Sequence, residues 1–271
     1  MIPLHMKISI LGCGWLGLPL AKALLEQGFI VNGSTTSAAK IPVLKNVGIH
    51  AFQISLNANG IAGDVMSFLD NSEILIVDIP PKLRGSAPEN FVGKIENLIP
   101  YIESSTIRNV LFVSSISVYA DDNSIITEAS LPKPESESGR QLLEAEQLMQ
   151  NSDRFKSTVV RFGGLIGGDR HPIKILSGRT HIENPEAPIN LIHQIDCIGI
   201  ILEIIKKNAW AEIFNAVAPC HPTRKTYYTQ KAEAMQLALP EFEENKLSFG
   251  KTITSKNLTT VLNYQFQKPN L

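Results

Sequence analysis

The first half of the chain alternates short apolar runs with stretches whose apolar residues recur at helical spacing. Strands are predicted at Lys7–Leu11, Phe29–Asn32, His50–Gln53, Ile74–Val77, Val110–Val113 and Thr158–Phe162. Helices are predicted between them at Leu16–Gln27, Ala38–Val47, Gly63–Leu69, Glu89–Ser104 and Gly139–Gln150. The strands are continuous apolar runs, the pattern of a parallel sheet covered on both faces. Such alternation predicts an α/β fold, a Rossmann-type doubly wound parallel sheet with ligands at the carboxyl ends of its strands. From Gly163 the pattern changes. Gly, Pro and charged residues cluster up to Pro188, then come a helix at Ile195–Lys207, a strand at Glu212–Val217 and a helix from Tyr227 to about Leu239. Residues 1–162 therefore read as the Rossmann part. Residues 163–271 read as the end of the sheet plus a small capping or substrate region, packed with the first part as one compact unit.

Between the first strand and the first helix stands Gly12-Cys13-Gly14-Trp15-Leu16-Gly17. In that position a Gly-x-Gly-x-x-Gly run is the fingerprint of a dinucleotide-binding turn, and residues 1–162 are accordingly the dinucleotide-binding part. Gly12 permits the tight turn, Gly14 lets a pyrophosphate approach the backbone, and Gly17 lets the helix pack closely. The free N–H groups at the helix start, including those of Trp15 and Leu16, then face the phosphates. The bland alternative is an ordinary Gly-rich strand-to-helix turn. A carboxylate after the second strand would hold the adenosine ribose of NAD. Here Ser34, Thr35, Thr36 and Ser37 follow, with Lys40. This set predicts NADP(H), with NAD the alternative, or else a turn and helix cap. Asp78 ends the fourth strand ahead of Ile79-Pro80-Pro81, at the edge where a cofactor would lie; it either touches a ribose or holds the turn.

The 271 residues are 44% hydrophobic with a formal net charge of −1. That is enough for a large core, and the lack of a basic stripe argues against a nucleic-acid partner. No run approaches an uncharged membrane span, and Met1 to Met6 is too short for a signal peptide. Cys13, Cys197 and Cys220 form no metal or redox spacing, which fits a cytoplasmic protein without a metal site. Cys13 sits near a helix start, where an accessible thiol would be acidified; the simpler reading is a small residue between two glycines.

Several further segments carry a resemblance. They are Phe112-Val113-Ser114-Ser115-Ile116-Ser117-Val118-Tyr119, Glu128 with Pro132 and Pro134, Arg161-Phe162-Gly163-Gly164-Leu165-Ile166-Gly167, Asn190-Leu191-Ile192-His193-Gln194-Ile195-Asp196, and Ile213-Phe214-Asn215-Ala216-Val217. In this order, behind the glycine loop, they resemble the extended short-chain dehydrogenase/reductase superfamily of NAD-dependent epimerases and dehydratases, in its compact, atypical branch. The resemblance implies a nicotinamide cofactor touched by the glycine loop, by Asp78, Ile79 and Pro80, and by Ser114. It implies a small hydroxy/keto or sugar-nucleotide substrate oriented by Ser115. It also implies dimers through the helices at Glu89–Ser104 and Gly139–Gln150, although the apolar stripe Leu142, Leu143, Ala145, Leu148 and Met149 reads more simply as core.

The superfamily's Tyr-x-x-x-Lys pair is missing. Anchoring on Glu146-Gln147-Leu148 puts Ser138 and Leu142 at the two positions, and a shift of two residues puts Ser136 and Arg140 there. A serine hydroxyl is too weak an acid to replace a phenol near neutrality, and an arginine does not titrate there. Ser115 and Arg140 are the catalytic candidates, Arg140 as a holder of a ribose or an anion. Glu137, Glu144, His193 and Asp196 are candidates for a displaced acid or base, each with a structural alternative as a helix-start residue. Two functions stay open: an oxidoreductase or epimerase, and a non-catalytic NADP(H)-binding sensor or regulatory module. Arg161, Arg170, His171, Lys174, Arg179 and His181 either bind a diphosphate or are surface charge.

Overall fold

The computed structural model describes residues 6–81, 83, 90–244 and 246–271. The opening segment up to His5 and Glu89, the first residue of one predicted helix, lie outside the described residues. The chain runs β1 (Lys7–Leu11), α1 (Gly17–Glu26), β2 (Ile30–Thr35), α2 (Ile41–Asn46), β3 (His50–Gln53), β4 (Ser55–Asn57), β5 (Gly60–Ala62), α3 (Val65–Leu69), β6 (Ile74–Val77), α4 (Phe91–Glu103) and β7 (Asn109–Ser115). It continues with β8 (Ile125–Ile126), α5 (Glu137–Gln150), β9 (Lys156–Phe162), β10 (Gly164–Ile166), α6 (Ile173–Leu176), β11 (Leu191–His193) and α7 (Gln194–Lys207). The last elements are β12 (Ile213–Ala216), α8 (Arg224–Ala234), β13 (Thr252–Ile253) and α9 (Lys256–Thr260).

The main sheet has seven strands in the order β12-β9-β7-β6-β1-β2-β3, every neighbouring pair parallel. This is the doubly wound arrangement expected from the sequence. Strand order reverses between β1 and β6, and the crevice beyond their carboxyl ends is where open sheets of this kind bind ligands. One face of the sheet is covered by α1 and α7 through Leu20, Leu24, Ile200 and Ile204. The other is covered by α4 and α5 through Leu98, Ile102, Leu142 and Met149. The α5 stripe considered as a dimer face thus packs inward: Leu142, Ala145 and Met149 are buried, and Leu143 and Leu148 lie partly buried against the same core.

Differences from the expected elements have local causes. The second strand extends to Thr35, so Gly33, Ser34 and Thr35 lie in the sheet rather than in a turn. The helix expected from Ala38 opens as a 3-10 turn at 38–40, and the α-helix starts only where Pro42 occupies its first turn. In the predicted Gly63–Leu69 helix, Gly63 has φ +108 and Asp64 caps by accepting from Ser67 N, so the helix begins at Val65. The tail helix starts earlier than expected, capped by Thr223, and stops at Ala234, with Gln236 at φ +54 just beyond.

After Gly163 the chain both completes the sheet and builds the cap. β12 lies beside β9, while Ile166, Ile173, Ile189, Leu191, Tyr227 and Tyr228 form a separate small core. Among the described residues no helix is long and apolar enough to cross a membrane.

Candidate dinucleotide site

The glycine loop follows β1 at the switch point. Gly12 has φ +109, and a Cβ there would lie 2.2 Å from the Asp78 carbonyl oxygen. A Cβ on Gly17 would lie 2.1 Å from the Gly12 carbonyl oxygen. Both positions are closed by backbone. Gly14 differs: a Cβ there would meet nothing within 4 Å. The loop is further fixed by Cys13 N donating to the Ser34 carbonyl (2.7 Å) and by Gly12 N donating to Ser34 Oγ (3.0 Å). Burial pushes the Cys13 thiol up to about 12, helped by the Asp78 charge, so the activated-thiol reading is withdrawn.

The hydroxyls after β2 separate into two groups. Ser34 is buried and supports the loop, and Thr35 is buried with Oγ1 accepting from Ser37 N. Thr36 and Lys40 are exposed beyond the strand end, with Ser37 half-buried between them. Asp78 sits under the loop: its N donates to the Leu11 carbonyl, and one carboxylate oxygen is 3.2 Å from where a Gly17 Cβ would be. Burial pushes its carboxyl up to about 7, while the Gly17 N–H and the Arg170 guanidinium pull the other way. Ile79 packs against Gly12, and Pro80 is exposed at the rim.

At the end of β7 the two adjacent serines part company. Ser114 is turned inward and donates to Glu146 Oε1 at 2.5 Å. Glu146 also pairs with Arg161, whose Nη1 reaches Tyr119 Oη (2.6 Å), which in turn donates to Asn215 Oδ1 (3.0 Å). Ser114 is therefore part of a buried network and not of a cofactor surface. The same network corrects the diphosphate reading of Arg161. Glu146 and Asn215 were not singled out by the sequence as members of any such cluster. Ser115 is half-buried and caps the turn 116–118, its Oγ accepting from Ser117 N (3.1 Å).

α5 begins against this turn. A Cβ on Gly139 would lie 2.2 Å from the Ser117 carbonyl oxygen, so the helix start is pressed onto it. Ser138 is half-buried beside that contact, and Leu142 is buried in the core. Arg140 faces outward: Nε donates to Glu137 Oε2 (3.0 Å) and Nη1 to the Glu135 carbonyl (3.1 Å). Its expected catalytic role is corrected, because its guanidinium is engaged on the exposed side of the helix. Glu137 is exposed and bonded to Gln141 and Arg140, which hold its carboxyl below the usual range, and Glu144 is exposed.

His193 and Asp196 act as helix-start groups. His193 Nδ1 accepts from Ile195 N (3.2 Å), and burial lowers its pKa against the opposing Asp196 charge. Asp196 is buried and accepts from Tyr264 Oη (2.9 Å), Gln267 N (2.7 Å) and Lys268 N (3.0 Å), anchoring the tail. Between them, Gln194 Nε2 donates to the Trp15 carbonyl (2.6 Å), a tie to the glycine loop with no sequence signal. In the cap, His171 Nε2 lies 3.0 Å from Tyr227 Oη, and Arg170 lies over the Trp15 ring. Lys174, Arg179 and His181 are exposed elsewhere in this region.

No protein-family model matches the chain. Protein YeeZ of Escherichia coli (strain K12) is 30% identical over 266 residues, covering 97% of both chains. The chain belongs to the YeeZ family. Among solved structures, MoeE5 in complex with UDP-glucose and NAD superposes with a TM-score of 0.79 at 16% identity, covering 97% of this chain and 94% of that one. UDP-glucuronic acid 4-epimerase from Bacillus cereus in complex with NAD gives 0.78 at 17% identity, covering 98% and 94%. The fold of this YeeZ-family member is thus the one found in these two NAD complexes.

Proposed function

We propose that the chain binds a nicotinamide dinucleotide, NADP(H) in preference to NAD(H), across the carboxyl ends of β1 and β6. The observation that carries this is Gly14. Its neighbours Gly12 and Gly17 are closed by backbone, yet the space a Gly14 side chain would fill is open. An open glycine between two packed ones, at the start of a ten-residue helix, fits a phosphate drawn close to the main chain. The NAD bound by fold relatives such as MoeE5 supports the same reading. The backbone N–H groups of Trp15 and Leu16 would hold the pyrophosphate. Thr36, Ser37 and Lys40, with no carboxylate beside them, would suit a 2′-phosphate.

A bound nicotinamide supplies hydride chemistry. In this reading neither alignment of α5 supplies the superfamily's Tyr-x-x-x-Lys proton transfer. In one alignment the lysine position holds the buried Leu142 and the tyrosine position Ser138; in the other they hold the exposed Arg140 and Ser136. The conclusion is an NADP(H)-binding protein of the epimerase/dehydratase type that uses the dinucleotide as a sensed or structural ligand. A second reading, turnover of a small hydroxy/keto or nucleotide-sugar substrate, is favoured by Ser115, which stays at the end of β7 with its side chain half-buried.

Calorimetric titration with NADP+, NADPH, NAD+ and NADH tests the proposal. Micromolar binding of the NADP pair is expected, and failure of all four would end it. Unequal affinity for the oxidised and reduced forms is required of a sensor. A nicotinamide absorbance change with any sugar nucleotide, lost in Ser115→Ala, would establish the second reading instead.

A further inference from the structure

Arg170 is carried on a tight, well-seated turn. Gly167 and Arg170 exchange backbone hydrogen bonds of 3.0 and 3.1 Å, with Gly167 at φ +134 and Gly168 at φ +56. Gly167 is pressed onto the start of α7: a Cβ there would lie 3.1 Å from Gln194 Cβ and 3.2 Å from His193 Nε2. Gln194 reaches on to the Trp15 carbonyl of the glycine loop. The turn, the start of α7 and the glycine loop therefore form one continuous set of contacts.

At the tip of that turn the Arg170 guanidinium lies 5.0 Å from the centroid of the Trp15 ring. The residue is exposed, and none of its side-chain N–H groups has a hydrogen-bond partner among the described residues. The ring orients the planar group while leaving its edge donors available. Those donors stand beside the glycine loop, next to Trp15, and the position over Gly14 is open. A guanidinium fork is the side chain best matched to two phosphate oxygens at once.

We propose that Arg170 closes the glycine-loop anion site from the cap side and binds the diphosphate of the dinucleotide. This rests on the dinucleotide reading above and adds to it a cap residue in direct contact with the cofactor. It also makes the turn 167–170 the place where the cap registers whether the loop is filled. The guanidinium also lies close enough to Asp78, under the loop, to favour its ionised form.

The test is calorimetric titration of the full chain, as wild type, Arg170→Ala, Arg170→Lys and Trp15→Leu. The probes are NADPH, ADP-ribose, which carries the same diphosphate without nicotinamide, and UDP, which reports a substrate-side diphosphate. Arg170→Ala is expected to weaken NADPH and ADP-ribose roughly 10- to 100-fold. Arg170→Lys should recover part of that loss, and Trp15→Leu should weaken both probes by a smaller factor. The melting temperature of Arg170→Ala should match wild type, since an exposed side chain without hydrogen bonds is removed. If wild type binds ADP-ribose and Arg170→Ala binds it equally well, the assignment to Arg170 is overturned and the dinucleotide reading stands. A loss confined to UDP overturns it too, and gives Arg170 to the substrate. If wild type binds neither NADPH nor ADP-ribose, the dinucleotide reading falls and Arg170 falls with it.

Discussion

Glu146 and Arg161 pair inside the molecule: Arg161 Nη2 lies 2.5 Å from Glu146 Oε2, with the two side chains 0% and 3% exposed. Arg161 Nε also reaches both carboxylate oxygens, at 3.1 and 3.2 Å. The pair ties α5 to β9, behind the strand end that carries Ser115. Removing one partner leaves the other charge buried. Glu146→Gln is expected to cost about 3–5 kcal/mol in urea unfolding. A loss well under 1 kcal/mol would show that water reaches the pair in solution.

Tyr119 sits between Arg161 and Asn215, its Oη accepting from Arg161 Nη1 and donating to Asn215 Oδ1. Tyr119→Phe removes only the hydroxyl and leaves both partners unsatisfied. The expected destabilisation is about 1–3 kcal/mol by the same measurement. Dinucleotide affinity should be unchanged, because the hydroxyl is buried away from the glycine loop.

The three glycines of the loop should respond differently. Gly12→Ala and Gly17→Ala drive a methyl into backbone at 2.2 and 2.1 Å and should lower the melting temperature by several degrees. Gly14→Asp meets open space and should fold with wild-type stability, but lose dinucleotide binding through charge repulsion and occupied volume. Thermal melts beside calorimetry separate the two effects. An unstable Gly14→Asp protein would contradict the open geometry.

Asp78 makes stability depend on pH in a defined direction. Its folded pKa, about 7, is above the ordinary carboxylate value of 3.8, so the folded state holds the proton more tightly than the unfolded chain. Its contribution is therefore most favourable below pH 4. It declines as the pH rises from about 4 to about 7, and it is flat beyond. Asp78→Asn should remove that slope. The difference in melting temperature, variant minus wild type, should grow between pH 5 and pH 7.5; a constant difference would mean that Asp78 is ionised throughout.

In the alignment that puts Ser138 and Leu142 at the superfamily's Tyr and Lys positions, introducing that pair by substitution should fail for a packing reason. Leu142 is 4% exposed among Val118, Tyr119, Ala145 and other residues of one core cluster. Leu142→Lys places an ammonium there and should destabilise by about 2–5 kcal/mol. Ser138→Tyr, at a half-buried helix start, should be far better tolerated. A stable, active double variant would show that the helix can shift to present the lysine to the crevice.

The sheet was legible because its strands are apolar runs, and Lys7–Leu11, His50–Gln53 and Ile74–Val77 match the sequence expectation to the residue. The glycine loop was legible because its outer positions, Gly12 and Gly17, are closed by backbone, which glycine alone satisfies, while Gly14 stands open between them. Hydroxyl direction was not legible. Whether Ser34 faces a ligand or the Gly12 N–H depends on β2 running on to Thr35, and periodicity does not mark that end. The Glu146–Arg161 pair did leave a trace. Glu146 lies on the helix face of Leu142, Ala145 and Met149, and Arg161 is a charged residue within the buried run 157–162 of β9. A charged residue on each of two buried faces is a pairing signal, but only the fold shows that the two faces meet. Arg170 over Trp15 left no such trace, since both residues are exposed or half-buried and distant in sequence.

The start of α7 has a consequence for how the protein is made. Gln194 secures the Trp15 carbonyl, and two residues later Asp196 is itself secured by Tyr264, Gln267 and Lys268. During synthesis the amino-terminal part of a chain emerges first and can begin to fold on its own. Here the glycine loop emerges well before the residues that clamp the helix steadying it. The support that α7 gives the glycine loop is thus complete only once Lys268 has left the ribosome, long after the loop itself.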